Sequence, residues 1–348
     1  SRSSKSSTIK MDTKPNIAVI GAGVVGMSVA NFITTYLDCN VTVIADCWHE
    51  KTTSYVAAGI FRPGTAFRGP TPEVTKKWML DSWKCYNNIL NSPHAEKAGI
   101  MNMPTYVFSK QYPHVTENHL LEGLVPIYRR ATKDELNLAP EGTKYGCFFS
   151  TLKIDTRSYV PYLEALVAEK GGIFVNKQVD NFASLSKIGN FDLVFNCSGF
   201  GAKFLCNDHD MVPIRGQVIK VKAPWVKNAY YLDYDTYIIP GSDGEVTLGG
   251  VRQYDSHNTE ICKRDTEAIM ERCCEVLPRL KDAEVLRIGV GLRPHRVPVR
   301  VEAEIIDGLK VVHCYGHGGY GVMTAPGTAL HAVEIGLNVL GMLPKSKL

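Results

Sequence analysis

Residues 16–46 constrain this chain more than any other stretch. Ile17-Ala18-Val19-Ile20 reads as a short buried strand, and Gly21-Ala22-Gly23-Val24-Val25-Gly26 follows at once. A helix is expected over 27–37 and a second strand over 41–44, ending at Asp46. Strand, glycine turn, helix, strand and acid, in that order, make a βαβ unit whose turn can accept a dinucleotide, either FAD or NAD. Gly21 permits the tight turn, Gly23 lets a pyrophosphate approach the backbone, and Gly26 lets helix and strand pack closely. The helix N-terminus adds unpaired N–H groups and the positive end of its dipole. Asp46 lies 20 positions after Gly26, where a carboxylate can accept both hydroxyls of an adenosine ribose. An acid there argues against a 2′-phosphate, and so against NADP.

At 348 residues the chain has length for about two domains. Its 45% apolar and 21% charged content is that of a globular protein. The net charge of +4 comes from scattered basic residues, which excludes a nucleic-acid surface. No apolar run is long enough to span a bilayer. The ten cysteines include no C-x-x-C pair, and no secretory signal is recognised, so the thiols are expected to be reduced and mostly buried. Asn196-Cys197-Ser198 fits a glycosylation pattern but ends an apolar strand, and is discounted. His313 and His317 are spaced i, i+4, but the surrounding glycines exclude a helix, so no metal site is expected. Cys273-Cys274 reads as core. Residues 1–10, rich in Ser and Lys, are expected to be a disordered extension, with Met11 as the natural start. Ser346-Lys347-Leu348 matches the address read by a peroxisomal import receptor, and the peroxisome matrix is the expected location. Nothing in the sequence sets an oligomeric state.

Further along, Thr52-Thr53-Ser54 leads into Tyr55-Val56-Ala57-Ala58-Gly59, hydroxyls followed by small residues that suit close approach to a ligand. Helices are expected over 73–90, 134–138, 158–170, 268–276 and 328–340. Strand-like runs occur at 106–108, 152–155, 173–175, 192–199, 215–221, 237–241, 245–252, 290–294, 299–306 and 310–313. The middle of the chain is antiparallel in character, unlike the opening unit. A glycine-rich loop at 316–321 then feeds the last helix, which suggests that the C-terminal segment returns to the dinucleotide. The two domains are expected to be interleaved.

The chain resembles the D-amino-acid oxidase and D-aspartate oxidase family. Besides the opening glycine turn, the resemblance rests on Val56-Ala57-Ala58-Gly59, Asn196-Cys197-Ser198-Gly199, Arg215-Gly216-Gln217, Ala223-Pro224-Trp225, Thr247-Leu248-Gly249-Gly250, Gly291-Leu292-Arg293-Pro294 and Tyr315-Gly316-His317-Gly318. These run in the family's order over nearly the whole chain. The resemblance implies an α/β fold: a Rossmann-like FAD-binding domain from residues 11–62, 150–206 and 288–348, interleaved with an α+β substrate domain from 63–149 and 207–287 that contains a largely antiparallel sheet. It also implies FAD as cofactor and oxidative deamination of a D-amino acid by O2, giving a 2-oxo acid, ammonia and hydrogen peroxide. The cofactor supplies the hard chemistry and the protein positions the substrate.

By the same resemblance, Arg293 forks onto the substrate α-carboxylate, which a guanidinium suits because its donors meet both oxygens. Tyr237 adds a hydroxyl to that carboxylate, and Gly319 offers its carbonyl to the substrate amine. Asp46 and Cys47 fall at the adenine end with Val179. Thr52, Thr53, Ser54, Gly59 and Ile60 fall at the pyrophosphate and flavin, as do Ser198, Gly318, Gly321, Val322 and Met323. Tyr234 falls on a lid, although residues 230–235 differ in length and kind from both branches of the family. Arg252 stands where the aspartate-preferring branch carries an arginine, and Arg62 adds a second cation. Both favour an acidic substrate, D-aspartate or D-glutamate. His317-Gly318-Gly319-Tyr320-Gly321, closer to the neutral-substrate branch, keeps the neutral D-amino-acid oxidase as an alternative. The others are a flavin-binding protein without turnover and an NAD-dependent dehydrogenase.

Overall fold

The computed structural model describes residues 14–64 and 66–345. The expected extension at 1–10 and the Ser346-Lys347-Leu348 address lie outside them. Fourteen strands form one mixed sheet: β1 (Asn16–Ile20), β2 (Asn40–Ala45), β3 (Ile100–Ser109), β4 (Tyr128–Arg130), β5 (Tyr145–Ile154), β6 (Ile173–Asn176), β7 (Leu193–Asn196), β8 (Val212–Lys222), β9 (Ala229–Leu232), β10 (Thr236–Pro240), β11 (Glu245–Gly249), β12 (Gln253–Tyr254), β13 (Glu284–Ile306) and β14 (Leu309–His317). The order is β4-β5-β3-β9-β10-β11-β8-β13-β14-β7-β1-β2-β6, with β12 on β8. From β14 to β6 every pairing is parallel. From β13 back to β4 the pairings are antiparallel, except that β3 and β9 run parallel.

The parallel half follows from the opening unit. Ile17 and Val19 enter one core and Ala18 and Ile20 another, so β1 is buried on both faces, as a central parallel strand should be. Helix α1 (Val24–Tyr36) begins three residues earlier than its apolar pattern predicts, directly at the glycine turn. Two further long helices are α2 (Pro72–Leu90) and α3 (Thr156–Glu169). Thr71 caps α2 at Val74 N (3.2 Å), and Asp155 caps α3 at Arg157 N (3.1 Å). Asp155 therefore starts a helix instead of ending a strand. α4 (Lys263–Val276) covers the antiparallel half, starting five residues before the expected 268, and α5 (Gly321–Leu340) closes the chain. Among the described residues no helix is long and apolar enough to cross a membrane.

Three departures from the sequence reading have physical causes. The last helix starts at Gly321, not 328, although Pro326 lies inside it. Proline has no N–H for the carbonyl four residues back, and here that carbonyl, Val322 O, accepts from the Tyr86 hydroxyl of α2 instead. The runs at 290–294 and 299–306 are parts of one 23-residue strand, β13, which stays extended through a register shift between His295 and Arg300. The run at 106–108 belongs to a ten-residue strand containing Pro104, which lies one residue before the pairing with β9 begins at Thr105.

Candidate active site

One cavity of about 710 Å³ runs beneath the C-terminal ends of the parallel strands and across into the antiparallel half. Its first wall is the opening turn. Gly21, at φ +108°, donates its N–H to Ile44 O at 2.9 Å. A side chain at Gly21 would lie 2.3 Å from Cys197 O, and one at Gly26 would lie 1.9 Å from Gly21 O. Gly26 thus packs α1 onto the turn and, unlike Gly21, Ala22, Gly23, Val24 and Val25, does not line the cavity. The obstacle at Gly26 is backbone, which cannot swing aside. Gly26→Ala should cost about 1–3 kcal/mol and yield protein that loses the expected dinucleotide on gel filtration. Thermal melts and visible absorbance check both.

Asp46 and Cys47 line the cavity where β2 ends. β6 is registered beside β2 (Ala45 with Asn176), which carries Val179 and Asp180 to the same place. Lys51 and Lys177 line this wall as well and were missed in the sequence, where nothing separated them from surface lysines. Thr52, Thr53, Ser54, Gly59 and Ile60 follow along the floor. The Ser54 hydroxyl accepts from Val24 N (3.0 Å), binding this segment to the first turn of α1, and Thr52 donates to His49 O (2.7 Å).

Ser198 is held from behind. Its hydroxyl donates to Asn196 Oδ1 (2.7 Å), and its backbone N–H meets the same oxygen at 3.3 Å. The amide nitrogen of Asn196 therefore faces His313 Nδ1 (3.2 Å), which must accept, while His313 Nε2 donates to Glu304 (2.9 Å). Burial pushes the His313 imidazole pKa down, consistent with a neutral ring. Because the one hydroxyl proton of Ser198 is spent on Asn196, its oxygen can only accept from a ligand. Asn196 stands in a sequence motif and His313 in a discounted metal pair, but their support of Ser198 was missed in the sequence, since neither lines the cavity. The glycosylation pattern at Asn196 is set aside, since that side chain is fully buried.

At the far end Arg293 projects from β13. Nη1 donates to Val251 O (3.1 Å) and more weakly to Arg215 O (3.5 Å). No carboxylate among the described residues lies within ion-pair distance of Arg293. Gly216, on the neighbouring strand β8 where it faces Gly291, makes the room: a side chain there would meet the guanidinium at 2.5 Å. Arg215 of the same motif is structural, buried and paired with Asp265 at 2.8 Å. Tyr237 lies flat over Gly249 and Gly250, where added side chains would come within 2.1 and 2.6 Å of it. Gly319 sits beside the Arg293 side chain. Arg62 stacks on Tyr231 with 4.3 Å to the ring centroid. Burial pushes the Tyr231 hydroxyl pKa up, against the field of Arg62 and Arg252, so both cations stand near that ring. Arg252 also lines the cavity, as do Gly318, Gly321, Val322 and Met323 where β14 passes into α5.

Tyr234 does not join them. It is exposed on the turn between β9 and β10 and bonds His114 Nε2 through its hydroxyl (2.8 Å), outside the cavity wall. Aromatic residues that do line the cavity include Tyr231, Tyr237, Tyr254 and Tyr320. Among the described residues the only acids lining the cavity are Asp46 and Asp180, both at the β2–β6 end, so among them the end bearing Arg62, Arg252 and Arg293 is lined by cations without acids.

A long cavity with a glycine turn and Asp46 at one end, and Arg62, Arg252 and Arg293 at the other, suits an oxidoreductase that binds a dinucleotide beside a small substrate. The residues present fit FAD: the Gly21 and Gly26 positions have no space for side chains, and Ser198 offers an acceptor to a sugar hydroxyl. Residues 16–335 match the family described as FAD dependent oxidoreductase. The chain is 38% identical to D-aspartate oxidase of Homo sapiens, covering 93% of this chain and 95% of that one. It is 36% identical to D-amino acid oxidase of Dugesia ryukyuensis, covering 96% and 100%. Glycine oxidase from Geobacillus kaustophilus shares the fold, with a TM-score of 0.77 at 17% identity over 96% and 97% of the two chains. The chain belongs to the D-amino-acid oxidase and D-aspartate oxidase family of FAD-dependent enzymes.

Proposed function

We propose that this enzyme oxidises D-amino acids with acidic side chains, D-aspartate and D-glutamate, to the 2-oxo acid and ammonia, with O2 reduced to hydrogen peroxide. The observation that carries the acidic preference is the cavity end lined by Arg62, Arg252 and Arg293 with no lining acid. A substrate with two carboxylates meets that field; one with an uncharged side chain offers Arg62 and Arg252 no carboxylate beyond the partners they already have, the Tyr231 ring and Asp235. In this reading Arg293 grips the α-carboxylate through paired N–H donors. Tyr237 donates to the same group, and the Gly319 carbonyl accepts from the amine. Holding three substituents, the α-carboxylate, the amine and, through Arg252 and Arg62, the side-chain carboxylate, fixes the configuration at Cα and aims its hydrogen. When bound, FAD supplies the two-electron acceptor chemistry. The protein then has only to hold the substrate, and no nucleophile–histidine–acid set is needed.

The pair between Arg252 and Asp235, at 4.0 Å, favours a second reading. There the cation is already answered, and the substrate is a neutral D-amino acid. Peroxide formation with D-aspartate against D-alanine separates the two; a preference for D-alanine overturns the acidic reading. We also assign cofactor binding to residues 11–62, 150–206 and 288–348 and the remainder to the substrate side, supported by the change from parallel to antiparallel pairing at β13. For location we propose the peroxisome, through Ser346-Lys347-Leu348 and its import receptor. A fluorescent protein fused to the N-terminus should give puncta that become diffuse when those three residues are removed. Unchanged puncta would refute the address.

A further inference from the structure

The turn joining β9 and β10 carries Asp233, Tyr234 and Asp235 along the rim of the cavity, and it is tied down on both sides. Asp233 Oδ1 accepts from Ser109 Oγ (2.9 Å) and from Lys110 N (3.1 Å). The Asp235 carbonyl accepts from Gly250 N, and Gly250 O accepts in turn from Arg272 (2.6 Å). Two residues beyond Gly250 stands Arg252, whose Nε lies 4.0 Å from Asp235 Oδ1. Among the described residues, Asp235 is the only carboxylate within ion-pair distance of Arg252. Val251, between them, gives its carbonyl to Arg293. One short segment therefore carries the rim arginine, supports the α-carboxylate anchor and holds the rim acid in place.

We infer that Asp235 is a specificity-determining residue, a built-in competitor that occupies Arg252 until the distal carboxylate of an acidic substrate takes its place. The inference rests on the acidic-substrate reading. Two effects act in the same direction. Asp235 partly neutralises Arg252, and its own charge repels an incoming second carboxylate. Both weaken binding of a dicarboxylic substrate, and neither touches one whose side chain is uncharged. The competition is modest because both partners are about half exposed, at 50% and 58%. The bond from the Asp235 carbonyl to Gly250 uses backbone alone, so changing the side chain leaves the turn tied.

The test uses FAD-loaded enzyme. Wild type is assayed first with D-aspartate and D-alanine, so that failure of the acidic reading shows before any variant is made. Asp235→Asn should lower KM for D-aspartate about 2- to 5-fold and leave kcat and the D-alanine KM unchanged. Asp235→Glu, which keeps the charge, should behave as wild type. Malonate and propionate, titrated against the visible absorbance of the bound flavin, provide a readout without turnover. The Asn variant should bind malonate more tightly and propionate equally well. If wild type prefers D-aspartate but the ratio of the two KM values is the same in Asp235→Asn, or if Asn and Glu act alike, the competitor role is wrong while the acidic reading stands.

Discussion

Arg293→Leu should lower kcat/KM for every D-amino acid by about two to three orders of magnitude, while the purified variant keeps its flavin. Truncating one partner of a desolvated, hydrogen-bonded charge pair costs about 2–5 kcal/mol, and each 1.4 kcal/mol is about tenfold. The loss should be this large because no second cation can replace Arg293 in its place. Its stem lies beside Gly319, its head fills the space that Gly216 leaves open, and Nη1 is braced on Val251 O. Arg293→Lys should recover little, since an ammonium is a point charge and cannot present a planar fork. Steady-state assays with visible spectra distinguish this from cofactor loss. An Arg293→Leu enzyme within tenfold of wild type would remove the carboxylate anchor from the mechanism.

Arg252→Phe should raise KM for D-aspartate about 10- to 100-fold, the worth of one hydrogen-bonded charge contact of about 1.5–3 kcal/mol, and leave D-alanine within about twofold. The contrast between substrates carries the information. Arg252 is half exposed at the rim and supports no strand pairing, so its loss should not disturb Arg293 or Tyr237. Arg62, seated on the Tyr231 ring, has a partner in the free enzyme and should give a smaller effect on replacement. Equal rises in KM for both substrates would show that Arg252 shapes the cavity without holding the side-chain carboxylate.

Much of this site can be read from local chemistry. The turn from Gly21 to Gly26 specifies its own geometry, because each glycine meets backbone or a neighbouring hydroxyl that a side chain would strike. Arg293 could be picked out by its motif, although what frees it is Gly216, 77 positions earlier and brought beside it only by the pairing of β8 with β13, in which Gly216 faces Gly291 and Ile214 faces Arg293. Residues whose role depends on a distant partner were harder. Asn196 and His313 act from behind Ser198, and His313 is buried through its neighbour strands, which no periodicity reveals. Tyr234 misled because a turn tyrosine next to substrate-side strands can face either way, and His114, from a separate loop, holds it outward. Element boundaries failed where a missing donor was made good elsewhere, as Tyr86 does for Pro326.

The unbroken course of β13 limits how this enzyme can breathe. Its first half is laced to β8 and its second half to β14, so the ribbon bearing Arg293 continues directly into the strand pair that ends at the glycine loop. At about 3.3 Å per residue it works as a stiff gauge across the molecule. The spacing between the guanidinium and the cofactor floor is set by sheet geometry and does not depend on a hinge.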